Sequence, residues 1–376
     1  MEFSINKNDF LDGINKVQGI CGRKTSFPIT ASILLTASGQ SISIVATDLE
    51  VGFQGFYPAH VEKEGKAVIP GRKLLEIVRE FPTDIIVCRE MKNGWIEIAN
   101  SNVQFQIVGM DPEDFPKLPE VTDTDFLSME TGVFWDMLEK TDLSSTITSE
   151  EKRPHLIGVY LERPQSAEGK VLRMVSTDGN RLAKADCIID VAQQSSFLPD
   201  GAGVILPKKV LGEMKRLAES GQTIDLGVKG NYFILRKDQE TLIARLVEGE
   251  YPNYEAVIPH NIDTFVQLEK ELFLMTLKRM SILCTERYRA VLFKVKNEQL
   301  ELEIINPEIG ESREEIEVAF NGKPFEVTYN PRFFIDAVSC MKSNMITLRL
   351  VDEKSACVVE GEHDPSYITV IMPMRI

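Results

Sequence analysis

Two aspartates occupy matching places in this chain. Val45-Ala46-Thr47-Asp48 and Val175-Ser176-Thr177-Asp178 each end an apolar run in Thr-Asp. A carboxylate at a strand end can serve as a general base. It can equally accept hydrogen bonds from its own following backbone and close a turn. The turn is the expected use, and a carboxylate-dependent enzyme built on Asp48 and Asp178 is the minor alternative. Gly22-Arg23-Lys24-Thr25 has the residue types of a phosphate loop. It lacks the full spacing and follows a helical pattern rather than a strand. Ser149-Glu150-Glu151-Lys152 fits Ser-x-x-Lys without the motifs that accompany it in acylating enzymes. Cys21, Cys88, Cys187, Cys284, Cys340 and Cys357 form no Cys-x-x-Cys pair, and His60, His155, His260 and His363 are isolated. Neither a disulfide framework nor a zinc site is expected. The thiols read as small buried residues in a reducing compartment, which makes the expected location cytoplasmic. No cofactor, no metal and no catalytic residue is expected.

The other chemistry is cationic. Arg72 and Lys73 follow Pro70, Lys208 and Lys209 follow Pro207, and Arg332 follows Pro331. A helix N-terminus carries partial positive charge, so a first-turn cation costs roughly 0.3–1 kcal/mol. Further cations lie along or just beyond the predicted helices: Lys16, Arg23, Lys24, Arg79, Lys140, Lys215, Arg216, Lys278, Arg279, Arg287 and Lys342. One such helix would be a solvated face. Several related ones point to a shared anionic partner, and duplex DNA, with about one charge per 1.7 Å of axis, suits many modest contacts.

The elements that position these residues repeat. Val68-Ile69-Pro70-Gly71-Arg72-Lys73-Leu74-Leu75 matches Ile205-Leu206-Pro207-Lys208-Lys209-Val210-Leu211, and Val327-Thr328-Tyr329-Asn330-Pro331-Arg332-Phe333-Phe334 is a fainter third copy. Asp114-Phe115-Pro116 matches Glu250-Tyr251-Pro252. Opening helices begin Phe10-Leu11, Phe134-Trp135 and Phe273-Leu274, each with an apolar residue four positions after the Phe and a cation six positions after it. Four steps stay on one helix face and six leave it, so the cation is expected to point away from the packed side. Each unit reads as helix, strands, helix, strands, with Pro at the first position of the second helix. The expected class is α+β, with two helices packed on antiparallel sheets in each of three repeated domains at 1–123, 124–260 and 261–376.

Composition limits the partners. The chain has 376 residues and a formal net charge of −15. Such a surface does not attract nucleic acid or anionic membrane through its average field, so any DNA contact requires segregation of the cations from acids kept outside. No apolar stretch approaches the ~18 residues of a membrane helix, no basic leader precedes an apolar core, and no membrane partner is expected.

Val175-Ser176-Thr177-Asp178-Gly179-Asn180-Arg181-Leu182-Ala183, Glu248-Gly249-Glu250-Tyr251-Pro252-Asn253-Tyr254 and the final Val370-Ile371-Met372-Pro373-Met374-Arg375-Ile376 resemble the bacterial DNA polymerase III beta subunit family, the sliding clamps. The resemblance spans essentially the whole chain. It implies the DNA-clamp fold and a head-to-tail homodimeric ring of six domains around duplex DNA. Such a ring is a non-enzymatic processivity factor that tethers the replicative polymerase. The candidate DNA contacts are then Arg23, Lys24, Arg72, Lys73, Arg79, Lys140, Arg153, Lys208, Lys209, Lys215, Arg216, Lys278 and Arg279. By similarity, Phe105 and Ile107 would meet Ile282 and Leu283 of the second copy. The polymerase III alpha subunit, clamp-loader subunits and other polymerases and repair proteins would dock through short linear peptides. The implied pocket comprises Leu156, Thr177, Gly179, Arg181, Leu182, Pro252, Val257, Asn330, Phe333, Val370, Met372, Pro373, Met374 and Arg375. Asn180 stands where the family often has His, Pro154-His155 replaces an aromatic pair, and Phe333 replaces a Tyr. These departures bear on peptide preference and on any DNA contact from the Arg153 loop. A peptide-binding scaffold indifferent to DNA is the other reading.

Overall fold

The structure is a computed structural model and describes residues 1–21, 27–92, 94–143, 158–165, 171–189, 197–218, 221–259, 262 and 264–374. The helices are α1 (Lys7–Cys21), α2 (Gly71–Glu80), α3 (Thr131–Thr141), α4 (Lys208–Ala218), α5 (Lys270–Met280) and α6 (Pro331–Ser339). They fall in pairs, with strands before, between and after each, as the repeat predicts. Among the described residues no helix is long and apolar enough to cross a membrane.

The second helix of each pair shows why these segments coil. α2 buries Leu74 and Val78, four apart, and exposes Arg72, Lys73, Glu76 and Arg79. α4 buries Val210, Leu211, Met214, Leu217 and Ala218, and α6 buries Phe334, Ala337 and Val338. These spacings keep one apolar stripe on one side of a 3.6-residue turn. Pro331 opens α6, with the Asn330 side chain accepting a hydrogen bond from Arg332 N. The other two helices start one residue after the proline, because Pro70 and Pro207 are still strand residues. In the third repeat Phe273, Phe293, Tyr329 and Phe334 interlock, with ring centroids 5.1–6.2 Å apart. Each buried aromatic of this kind contributes roughly 1.5–3 kcal/mol relative to an exposed one.

Two compact units emerge, and both draw on the middle repeat. The first comprises the described residues of Met1–Trp135, Asp190–Pro199 and Leu206–Leu246, and the second those of Asp136–Ile189, Asp200–Ile205 and Val247–Ile376. The cause is main-chain hydrogen bonding between neighbouring repeats. In the first unit, Val51–Pro58 of repeat one pairs antiparallel with Glu240–Arg245 of repeat two, Leu242 opposite Phe53 and Glu240 opposite Gly55. An eight-stranded sheet results. In the second unit, Arg181–Ile188 of repeat two pairs with Asp364–Ile371 of repeat three, Leu182 opposite Val370, inside a nine-stranded sheet. We call these junctions the first and second seams. Two counterparts of the seam strands lie at sheet ends instead. Gln104–Val108 ends a five-stranded sheet in the first unit, and Gly310–Glu317 ends a four-stranded sheet in the second. By order within the repeat, Gln104–Val108 is the counterpart of Glu240–Arg245 and Asp364–Ile371. Gly310–Glu317 is the counterpart of Val51–Pro58 and Arg181–Ile188.

Candidate functional site

At the second seam the Thr-Asp-Gly-x-Arg segment makes the tight turn that its residue types demand. The Asp178 carboxylate accepts from the backbone N–H of Asn180 and Arg181, both at 3.0 Å. Thr177 Oγ1 donates to the Arg181 carbonyl at 2.7 Å and accepts from Gly179 N at 3.1 Å. Gly179 has φ +85°, a region that a side chain disfavours. Asp48 does the same in the first unit, accepting from Glu50 N and Val51 N. Its other oxygen holds the Lys209 ammonium at 2.5 Å. Each carboxylate is engaged in its own turn and by a cation, which is the arrangement of a structural residue rather than a base.

Arg181 is 2% exposed. Its guanidinium donates to Asp178 at 3.1 Å and to Asp336 at 2.8 Å, and the Phe333 ring lies 4.6 Å from it. Beside it opens a cleft of about 240 Å³ lined by Thr177, Gly179, Arg181, Leu182, Pro252, Asn253, Tyr254, Val257, Val370 and Met372. Its floor continues a buried cluster of Val175, Leu182, Tyr254, Ala356, Val358 and Val370. The rings of Tyr160 and Tyr251 stack at 4.7 Å against this cluster. Burial pushes the Tyr254 hydroxyl up, reinforced by its hydrogen bond to the Glu162 carboxylate. The final segment is fixed by Met372 N donating to the Asn180 carbonyl and Met374 N donating to the Thr328 carbonyl, both at 2.8 Å. A preformed apolar cleft with its one charge already neutralised suits apolar side chains of an extended ligand, and Met372 can repack around different ones.

Eight of the expected pocket residues line this cleft: Thr177, Gly179, Arg181, Leu182, Pro252, Val257, Val370 and Met372. Leu156 and Arg375 lie outside the described residues, as do Pro154 and His155. Asn330 is buried as the cap of α6, Phe333 serves through Arg181, and Pro373 and Met374 follow the cleft-lining Met372. Asn253 and Tyr254 also line the cleft, beyond the residues that the resemblance implies. Both sit in the Glu-Gly-Glu-Tyr-Pro-Asn-Tyr segment, in which the resemblance points to Pro252 alone.

The expected DNA-contacting cations divide. Arg72 and Lys73 are exposed, each bonded to Glu76 on the same helix at 3.1 and 2.6 Å. Arg79 and Lys278 are exposed, and Lys208 and Lys215 half-buried. Lys209 is half-buried between Asp48 and Glu50. Arg216 pairs with Glu213, and Arg279 with Glu314. Lys140 corrects the expectation outright. It is 4% exposed, bonded to Asp364 at 2.7 Å and Asp136 at 2.8 Å, with the Tyr367 ring beneath it. Lys16, its counterpart in α1, likewise reaches Asp12 and Glu240. Six helical steps do leave the first packed face, but they meet a second one. Arg23, Lys24 and Arg153 lie outside the described residues.

The cysteines are mixed. Cys21, Cys88 and Cys357 are buried, whereas Cys187, Cys284 and Cys340 are only half-buried. Burial pushes the Cys88 thiol up to about 12.

Phe105 and Ile107 sit on the end strand Gln104–Val108, Phe105 exposed and leaning on the Phe81 ring at 6.5 Å. Ile282 is 75% exposed in the short turn Ser281–Leu283 that follows α5, and Leu283 is half-buried. Exposed apolar side chains beside an unpaired strand edge mark an interaction surface.

Comparison with known proteins agrees with this architecture. Family models described as DNA polymerase III beta subunit match residues 1–119 (N-terminal domain), 128–253 (central domain) and 255–375 (C-terminal domain). The beta sliding clamps of Caulobacter vibrioides and Pseudomonas putida are each 29% identical over the full length of both chains. Among solved structures, Caulobacter crescentus pol III beta superposes with TM-score 0.91 at 28% identity, covering 100% of each chain. A sliding clamp from Pseudomonas aeruginosa bound to griselimycin superposes with TM-score 0.90 at 26% identity, again covering 100% of each chain. Three matched domains over nearly the whole chain place it in the DNA polymerase III beta subunit family, the sliding clamps.

Proposed function

We propose that two copies of this chain close head to tail into a ring around duplex DNA and hold the replicative polymerase on its template. The observation that carries this reading is the pair of end strands. Two seams join successive repeats by the same kind of strand pairing, and the chain is left with one unused strand of each type, Gln104–Val108 and Gly310–Glu317. A contact between unlike surfaces forms either a closed ring or an open filament. Closure with a second copy pairs both of these seam-type edges. Phe105 and Ile107 of one copy would then meet Ile282 and Leu283 of the other. The domains are 1–123, 124–260 and 261–376, a division the matched family ranges support.

Within such a ring, Arg72, Lys73, Arg79, Lys208, Lys209, Lys215, Arg216, Lys278 and Arg279 are the described cations we assign to phosphate contact. Several are already shared with carboxylates, so each phosphate gains little and is released easily. Weak contacts of this kind hold without reading sequence, while closure prevents escape. The cleft at the second seam takes short peptides of the polymerase III alpha subunit, clamp-loader subunits and other polymerases and repair proteins. No catalytic role is proposed, and the working compartment is the cytoplasm.

The test is topological. Loaded on a nicked circle by a clamp loader, the protein should stay bound and then leave when the circle is linearised. Retention on the linear product would refute encirclement and favour a groove binder. Reversal of Arg72, Lys73, Lys208 and Lys209 to Glu should flatten the salt dependence of retention, by about 0.9 in log–log slope for each phosphate no longer neutralised.

A further inference from the structure

The two seams share an ion pair with a fixed design. Lys16 of α1 bonds Glu240 at 2.6 Å, and Lys140 of α3 bonds Asp364 at 2.7 Å, and in both cases the partners are 224 residues apart. Each lysine stands six positions after the helix Phe, Phe10 or Phe134. Each carboxylate closes a hairpin with the residue three before it, Lys237 with Glu240 and Gly361 with Asp364, although Glu240 lies opposite Gly55 in its seam and Asp364 lies past a shift in register, beyond Tyr367 opposite Ala185.

The other strand of each inner seam carries a small residue at one matching place. Asp48, Asp178 and Asn306 close equivalent turns, each accepting from the N–H two residues on. Four residues before them stand Ile44, Met174 and Leu302, whose neighbours on the seam strands are Gly55, Ala185 and Glu314. In the third repeat, then, a carboxylate occupies the place of the small residue. The cation six positions after Phe273 is Arg279, and its Nε donates to Glu314 at 2.9 Å. Thr276 Oγ1 donates to the same carboxylate at 2.8 Å. The first repeat completes the pattern from the other side. Its outer hairpin is closed by Asn100 and Val103, with Asn100 N donating to the Val103 carbonyl at 2.9 Å. Val103 therefore stands where Glu240 and Asp364 stand in the other two.

We infer that the carboxylate of this repeated ion pair has been moved, at the contact between copies, from the incoming strand to the chain's own end strand, making that contact the one that can part. This rests on the ring reading above. The physical reason is the cost of orphaned charge. Parting a seam keyed by Lys140 and Asp364 would leave Asp364 buried without its lysine, while Lys140 kept Asp136 of its own helix, and loss of one partner of a buried pair costs about 3–5 kcal/mol. Parting Gln104–Val108 from Gly310–Glu317 leaves Arg279 still bound to Glu314. Opening there costs strand hydrogen bonds and apolar contact but no unpaired ion.

Subunit exchange between two differently labelled preparations of the full chain tests this. Val103→Glu alone should speed exchange several-fold, because Glu314 already takes Nε and one Nη of Arg279 and the added carboxylate arrives without the lysine that holds two in each inner seam. Val103→Glu combined with Glu314→Gly restores the inner-seam arrangement and should slow exchange about tenfold, equivalent to ~1.4 kcal/mol. Wild-type rates in both, or a shift in the same direction in both, would overturn the inference. Should the double variant fail to fold, the single variant decides: exchange no faster than wild type refutes it. A wild-type chain that stays monomeric at all concentrations would instead refute the ring itself.

Discussion

The first and second seams are the same junction built twice, and the cleft of the candidate site opens at the second. Their main chains agree in detail. Arg245 N donates to the Glu50 carbonyl at the first, and Met372 N to the Asn180 carbonyl at the second, both at 2.8 Å. The difference lies in two positions. At the first seam Leu118 packs on the cluster of Val45, Val68 and Phe115 and lies over Gly52, where an added Cβ would collide with it. The strand position of Gly52, opposite Thr47, is held at the second seam by Leu182, opposite Thr177. There the side chain forms the floor, and Pro252 and Val257 wall an open space. The first seam is thus a cleft filled from within, and the second one is kept for a visitor.

The comparison breaks most sharply at the ion pairs. Lys140→Met strands Asp364 in the interior and should destabilise the second unit by about 3–5 kcal/mol. Lys16→Met should cost clearly less, because Glu240 keeps the Tyr57 hydroxyl at 2.7 Å. Paired denaturant titrations check both, and equal losses would mean the seams are not distinguished in this way. Next in size, deletion of Met372 to Ile376 should abolish binding of a partner peptide by calorimetry while the dimer persists, since the cleft loses a wall but no inner-seam strand. Leu118→Ala should empty the first seam, lowering stability by about 1–2 kcal/mol for this half-buried site. It should also create a second, weaker apolar site detectable by ligand-observed NMR.

The smallest effect is in pH. Burial raises the Asp136 carboxyl, but hydrogen bonds from Lys140 and Lys342 outweigh this and hold it below the ordinary carboxylate range. A lowered folded-state pKa contributes stability that is present above the unfolded value, ~3.9, and is lost as pH falls below it. Asp136→Asn should therefore flatten the acid limb of the unfolding midpoint and leave the neutral region nearly unchanged. An unaltered acid limb would assign that titration elsewhere.

Much of this is legible in residue order. The Pro-cation helix starts, the apolar spacing of α2, α4 and α6 and the Thr-Asp turns are local, set by backbone stereochemistry and periodicity within a dozen residues. The triplication follows, because like segments fold alike. Most of the cleft residues can be named because the turn and final strand carry the family resemblance, which implies them position by position. Tyr254 escapes such a reading because its role depends on Arg173 and Glu162, both far away in the chain. Lys140 misleads because spacing on one helix cannot say whether a second layer covers the opposite face.

Sequence alone therefore determined the elements, their threefold recurrence and the places where charge gathers. Tertiary structure decided which cations are spent internally, where the cleft opens and which two seam-type strands are left at sheet ends. Those outcomes turn on pairings between residues up to 224 positions apart, and no local periodicity encodes what stands on the far side of a sheet.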